Sequence, residues 1–145
     1  MIKSFRGKLT SDSDFNDQQI IRLSTNKGEM GYRIVKFQVM PINESDDVGA
    51  VVKIFRYKQD TVDSAIDFSN ETMLAAALYR QDSGNQYNFQ QHVIFDNVKF
   101  NQDIFVTYKD NETSGKTMNY YIELEQVKLD LNEATVATLK DMRGA

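Results

Sequence analysis

Cysteine and tryptophan are absent from this chain of 145 residues, and proline and histidine occur once each. Without cysteine there is no disulfide framework, thiolate nucleophile, iron–sulfur cluster or cysteine-ligated zinc site. A single histidine likewise excludes a histidine-rich metal centre. A chain of this length suits one domain, which buries roughly 70% of the surface that the unfolded chain exposes. The fold must therefore be held by strand pairing and apolar burial rather than by cross-links.

Positive charge is also scarce, since 17 lysines and arginines stand against 21 aspartates and glutamates, for a net charge of −4. That balance argues against a general binder of nucleic acid or of anionic membranes, because both need dense positive charge. No run of 18 apolar residues is present, so no segment is predicted to span a bilayer. The first seven residues lack the apolar core of a signal peptide. The absence of cysteine suits synthesis in a reducing cytoplasm.

The apolar residues lie in short segments rich in valine, isoleucine, phenylalanine and tyrosine, with polar stretches between them. Such segments, recurring at the spacing of a strand plus a turn, predict an all-β sandwich or barrel. We predict an antiparallel β-sandwich of jelly-roll type. Its strands are expected at residues 3–9, 19–25, 31–40, 50–58, 73–79, 92–96, 102–109 and 117–129.

Several of these elements carry finer expectations. Val35, Phe37 and Val39 should share one face of their strand, which Pro41 should end because proline lacks a ladder donor. Residues 59–72 are expected to cross between the two sheets, and residues 81–91 to form a long polar loop. Residues 73–79 could be a helix by propensity, but a short all-apolar run also fits a buried strand, which we favour.

The C-terminal end changes in character, so residues 1–129 are assigned to the sandwich and residues 130–145 to a short helix or an extended arm. Asp130 or Asn132 could cap a helix over residues 133–142. Val136 and Leu139 would then form a weak apolar stripe, extended by Met142. We expect these three residues, together with Phe5 near the other terminus, to contact a partner protein.

Catalytic patterns are weak. His92 stands without the surroundings of a nucleophile, so a structural role is favoured. Glu123 and Glu125 are two residues apart on one strand face, about 7 Å from each other, a separation that glycosidase carboxylates also have. A solvated sheet face opposite lysine or arginine is the preferred interpretation. We predict no catalytic residue, no cofactor and no metal site.

Two further patterns suggest binding sites. Residues 12–17 resemble the opening of a calcium loop, but Asp17 stands where the loop needs glycine and Leu23 where it needs glutamate. Basic and aromatic residues alternate over residues 53–58, as on an OB-type nucleic-acid surface. A strand with a solvated face and long basic side chains has the same pattern, and this interpretation fits the net negative charge of the chain better.

Five segments spread over nearly the whole chain resemble small virion proteins of marine tailed phages. They are FRGKL at residues 5–9, GYRIVKFQ at 31–38, VKIF at 52–55, IFDN at 94–97 and NYYIELEQVKLDLNEATVATLKD at 119–141. The resemblance implies a structural role in the virion, assembled in the host cytoplasm. A small acidic β-domain without catalytic motifs suits a capsid decoration protein that bridges capsomers. Its partners would be the major capsid protein or another virion protein, and its own copies, with a trimer as the expected homo-oligomer.

Two other functions remain open from the sequence. A tail- or fibre-associated module could bind a host-surface glycan through loops rich in Tyr, Asn, Gln and Asp, such as residues 81–91. A β-rich hydrolase would rest only on unassigned carboxylates and would need a cleft with a carboxyl of strongly raised pKa.

Overall fold

The computed structural model describes residues 1–10, 16–23, 30–43, 47–82, 87–95, 98–110 and 116–129. Eight strands lie in this part of the chain. They are β1 (Ile2–Thr10), β2 (Asn16–Ile21), β3 (Met30–Pro41), β4 (Val48–Phe55), β5 (Met73–Asp82), β6 (Tyr87–Ile94), β7 (Ile104–Asp110) and β8 (Thr117–Lys128).

The strands form two antiparallel sheets that pack face to face, which confirms the predicted β-sandwich. One sheet has the order β1-β8-β3 and the other the order β2-β7-β4-β5-β6. A jelly roll places strands 1, 8, 3 and 6 in one sheet and 2, 7, 4 and 5 in the other. The observed order agrees with that winding except at β6, which pairs with β5 instead of β3. A bridge between Tyr32 and Phe100, just after β6, closes part of the side of β3 that β6 would occupy.

The core lies between the sheets and follows the alternation of side chains along the regular strands. In β7, Ile104, Val106 and Tyr108 are fully buried, as the period-two pattern predicted. The inner face of β8 is buried in the same way. It consists of Met118, Tyr120, Ile122 and Leu124.

The strand β4 is buried along its whole length because it is the central strand of the five-stranded sheet and is covered on both faces. Its sequence carries apolar residues on both faces, as a strand that is buried on both sides does. Its neighbour β5 contains residues 73–79, so the predicted strand is confirmed over the helix. Ala75 and Ala77 are buried on the inner face of β5.

Three expectations about local structure were wrong. Val35 does not share a face with Phe37 and Val39, because a β-bulge between Ile34 and Lys36 turns it outward. Residues 59–72 join β4 to β5, which are neighbours in one sheet, and do not cross between sheets. The predicted loop over residues 81–91 is shorter, because β5 continues to Asp82 and β6 begins at Tyr87.

The C-terminal prediction cannot be compared with the fold. Residues 130–145, including Val136, Leu139 and Met142, lie outside the described residues. The described chain ends at Leu129, which is buried beside Gly31 at the start of β3. The helix or arm and its proposed contacts therefore stay predictions.

Candidate interaction surface on the three-stranded sheet

The outer side of the five-stranded sheet is covered by the chain itself. Residues 56–72, here called the cover, cross this side of the sheet and return. At one edge Gln18 of β2 exchanges two hydrogen bonds with the Gln59 backbone, at 2.8 and 2.9 Å. At the other end Phe68 meets Phe95 edge to face, with ring centroids 5.5 Å apart. A second small apolar cluster therefore forms beneath the cover, around Phe55 and Met73.

Lys53 ties the centre of the sheet to the cover. Its side chain points to the outer side of β4 but is only 6% exposed. The Nζ atom donates to Asp63 Oδ1 at 2.8 Å and to the Ala65 carbonyl at 2.7 Å. The hydrogen bond from Lys53 lowers the pKa of Asp63. Beside this pair lies a cavity of about 230 Å³, lined mainly by polar groups of the cover and sheet.

The outer side of the three-stranded sheet has no such cover in the described part of the chain, and we call it the open face. The register places its outward side chains in rows across the three strands. Two adjacent rows define the middle of the face. One holds Arg6, Tyr121 and Gln38, and the next holds Lys8, Asn119 and Met40.

Opposite charges are paired on one half of the open face. Arg33 of β3 bonds Glu125 of β8, with Nη2 to Oε2 at 3.2 Å and Nε to Oε1 at 3.3 Å. In the next row, Lys36 stands opposite Glu123. Glu123 also accepts a 2.9 Å hydrogen bond from the Tyr121 hydroxyl, and that bond raises the pKa of Tyr121. The two glutamates therefore belong to the solvated face that was preferred from the sequence.

A groove of about 490 Å³ runs across the middle of the open face. Its walls are the two rows that contain Arg6 and Lys8, and its floor is the backbone around Gly7, Tyr120 and Val39. Neither row contains a carboxylate. The groove thus combines an aromatic ring, amide side chains and two cations that lie in rows without an acidic partner.

The far edge of the three-stranded sheet, at β3, is closed by two contacts. Tyr32 exchanges backbone hydrogen bonds with Phe100, at 2.7 and 3.0 Å. The Val39 amide donates to His92 Nε2 at 3.3 Å. The imidazole also meets Phe37 edge to face, and burial lowers the pKa of His92. His92 therefore connects β6 to β3, which agrees with the structural role favoured from the sequence.

The near edge of the sheet is β1, which carries Phe5. The Phe5 side chain is half-buried and packs against the main core. Met1 and Ile2, which precede it, are 81% and 53% exposed. Phe5 is thus the described member of the predicted contact set, and it lies beside an exposed apolar terminus. Sequence reasoning did not find the two rows of the open face, because polar outward residues show no pattern until the sheet order is known.

The basic–aromatic pattern at residues 53–58 does not form a solvated cationic face. Lys53 and Arg56 are each 5% exposed, and Arg56 donates to the Lys99 carbonyl at 3.2 Å. The calcium-like segment falls mostly outside the described residues. Among the residues that are described, no group of three acidic or histidine side chains could hold a metal ion.

Comparison with known proteins adds no family assignment. No protein-family model matches the chain, and no curated protein matches it. In the described part of the chain, no helix has the length and apolar character that a membrane crossing requires.

Proposed function

We propose that the protein is a non-enzymatic structural component of a tailed-phage virion, a capsid decoration protein that bridges and stabilises capsomers. The observation that carries this proposal is the asymmetry of the sandwich. One outer side is covered by residues 56–72, whereas the other presents the open face and the exposed start of β1. In the described part of the chain, the three-stranded sheet thus presents a face and part of an edge that a partner protein can cover.

The chemistry of the chain suits attachment to the outside of a shell. The net charge of −4 disfavours contact with the packaged genome. With no cysteine, the chain cannot be joined to its partners by disulfide bonds. The partner is the major capsid protein or another virion protein, and three copies around a local three-fold axis would give a closed assembly. The site of assembly would be the host cytoplasm.

The proposal is tested by locating the chain in the particle. Cryo-electron microscopy of virions of the phage that encodes the chain should place it on the capsid exterior. A map that places it at the tail or inside the shell contradicts the decoration role.

A matched pair of variants tests the open face itself. Met40 on the open face and Phe68 on the cover are each 58% exposed. Met40→Asp should weaken binding to shells that lack the protein at least tenfold, measured by co-sedimentation, because it charges the contact surface. Phe68→Asp should change the affinity less than twofold. Equal effects of the two substitutions would argue against the open face as the contact.

A second function, recognition of a host-surface glycan, is favoured by the groove on the open face. Tyr121 offers a ring for stacking, and Gln38 and Asn119 offer amide groups that can bond hydroxyls. This site differs from the loop expected from the sequence, since Tyr87 to Gln91 belong to β6. A glycan array with the purified protein separates the two functions, because capsid decoration predicts no sugar binding.

A further inference from the structure

The outward backbone groups of β1 can be identified from the ladder. In an antiparallel pair, residues alternate between bonding the partner strand and pointing away from it. Met1 lies opposite Gln126 of β8, and its carbonyl accepts a hydrogen bond from the Gln126 amide. The backbone groups of the odd-numbered residues of β1 therefore point towards β8. Even-numbered residues must face the other way. The Thr10 amide does so, because it donates to Asp17 Oδ2 at 3.0 Å.

Within the described residues, only half of this outward edge is closed by hydrogen bonds. Near Lys8 and Thr10, the side chains of Gln19 and Asp17 bond the outward backbone groups. Towards the N-terminus, no hydrogen bond within the described residues reaches the outward groups of Ile2, Ser4 and Arg6. These three residues are exposed. We call residues 2–6 the open edge; its three amides and three carbonyls match one short strand.

Charge defines what kind of strand would fit. Lys3, Arg6 and Lys8 make this part of β1 cationic on an otherwise acidic chain. On the open face, Arg33 and Lys36 share rows with Glu125 and Glu123, but the rows of Arg6 and Lys8 contain no carboxylate. A neighbouring strand with carboxylates two residues apart would present them on one face. One carboxylate would lie directly opposite Arg6 and diagonal to Lys8.

We propose that the open edge binds an extended segment of another protein by strand addition, with carboxylates of that segment paired to Arg6 and Lys8. The backbone bonds would supply affinity, and the alternate side chains would supply selectivity. A second copy of the chain is the poorer occupant, because pairing β1 with itself would bring lysines and arginines of both copies together. The proposed function in the virion is needed only to say which protein the natural partner is.

The edge chemistry can be tested without a virion. The probe is a capped synthetic peptide of seven residues that alternates Glu with Val or Thr, added to the full-length protein. Amide exchange at Ser4 and Arg6, followed by NMR, should slow roughly tenfold at about 90% occupancy, because bonded amides exchange only from the free fraction. The same peptide with Lys in place of Glu should bind at least tenfold more weakly.

Two variants and their controls separate backbone from charge. Ser4→Pro removes an outward amide without removing a bond to β8, and it should weaken peptide binding at least tenfold. Ser4→Ala keeps the amide and should bind like the natural protein. The double variant Arg6→Glu with Lys8→Glu should also abolish binding of the Glu-containing peptide. Lys58→Glu, a charge reversal at an exposed site in the cover, should not change it.

Each other outcome counts against the proposal. Hydrogen exchange of the β8 amides checks that Ser4→Pro retains the hydrogen bonds between β1 and β8. If those bonds are lost, the charge variants at Arg6 and Lys8 test the proposal instead. Shifts confined to the groove, equal binding of the Lys peptide, or no binding at millimolar concentration would overturn it. Self-association that Ser4→Pro abolishes, measured by analytical ultracentrifugation, would assign the edge to a second copy instead. Peptide binding without capsid location would refute only the virion role.

Discussion

His92 is the single imidazole of the chain, and it holds two strands of different sheets together through its unprotonated form. Only a neutral imidazole nitrogen can accept the Val39 amide hydrogen. Burial lowers the pKa of His92 in the folded protein, so the unfolded chain binds the proton more readily. The contact therefore stabilises the fold fully above the unfolded value of about 6.5 and loses that contribution as the pH falls towards the folded value.

We predict that acidification from pH 7.5 to pH 5.5 lowers the free energy of unfolding through His92. Denaturant unfolding at each pH measures this quantity, and NMR of the single imidazole should give a pKa below 6.5. His92→Gln retains an acceptor that does not titrate, so its free energy of unfolding should depend less on pH over this range. An equal pH dependence in both proteins would contradict the assignment.

Gly31 marks a point where a neighbouring side chain and a neighbouring backbone carbonyl approach too closely for a Cβ atom. A Cβ atom here would lie 2.8 Å from Leu129 Cδ1 and 3.1 Å from the Phe100 carbonyl oxygen. We predict that Gly31→Ala lowers the free energy of unfolding by about 1–3 kcal/mol, as overpacking does. Leu129→Ala in the same chain should relieve part of this, so the double variant should lose less than the two single variants together. Additive losses would show that the residues are not coupled.

At the residue scale, the alternation rule predicted burial well wherever a strand is regular. Met118, Ile122 and Leu124 of β8 are all buried on one face, as the alternation requires. Val35 was misplaced because a bulge adds one residue to β3 opposite β8, which reverses the alternation at that point. A valine at a bulge and a valine in a regular strand look the same in a sequence, so the error could not be avoided from the pattern alone.

At the scale of elements, the cover is attached by a lysine that is almost fully buried and an aspartate that is 63% exposed. Asp63→Ala would leave the Lys53 ammonium with the Ala65 carbonyl as its described partner. We predict that this substitution lowers the free energy of unfolding by about 1–2 kcal/mol, which lies between the values typical of exposed and of buried salt bridges. Denaturant unfolding measures it.

The matching double variant tests the cause of that loss. Lys53→Met keeps a long side chain but removes the buried charge, so Lys53→Met with Asp63→Ala should be more stable than Asp63→Ala alone. If the double variant is less stable than Asp63→Ala, the salt bridge contributes little and the packing of the lysine stem dominates.

Elements in the middle of a sheet were easier to predict than those at its edges. The central strand β4 reads as apolar on both faces, and it is buried throughout. The edge strand β6 was assigned largely to a loop from the sequence. Its residues Gln90 and Gln91 are polar and exposed, as loop residues also are. The open edge could not be predicted either, since the sequence does not reveal which strands lie outermost.

At the scale of the whole molecule, the C-terminal residues 130–145 remain the largest segment whose contribution rests on sequence alone. We predict that deleting residues 133–145 weakens self-association or capsid binding, because it removes Val136, Leu139 and Met142. The sandwich should stay folded, since the deletion retains Leu129 and every described strand. Sedimentation measures assembly, and circular dichroism measures the fold; unchanged capsid affinity would refute the role of this segment.

The order β1-β8-β3 also has a consequence for synthesis. Among the described strands, β1 and β3 have only β8 as a sheet partner, and β8 is the last of these strands to be made. At ribosomal rates of 5–20 residues per second, β1 must wait on the order of ten seconds for its partner. During that interval the edges of β1 and β3 that pair with β8 are unpaired. The nascent chain is therefore most exposed to misassociation just before β8 is made, and its folding should be slow because the pairings of β8 with β1 and β3 are non-local.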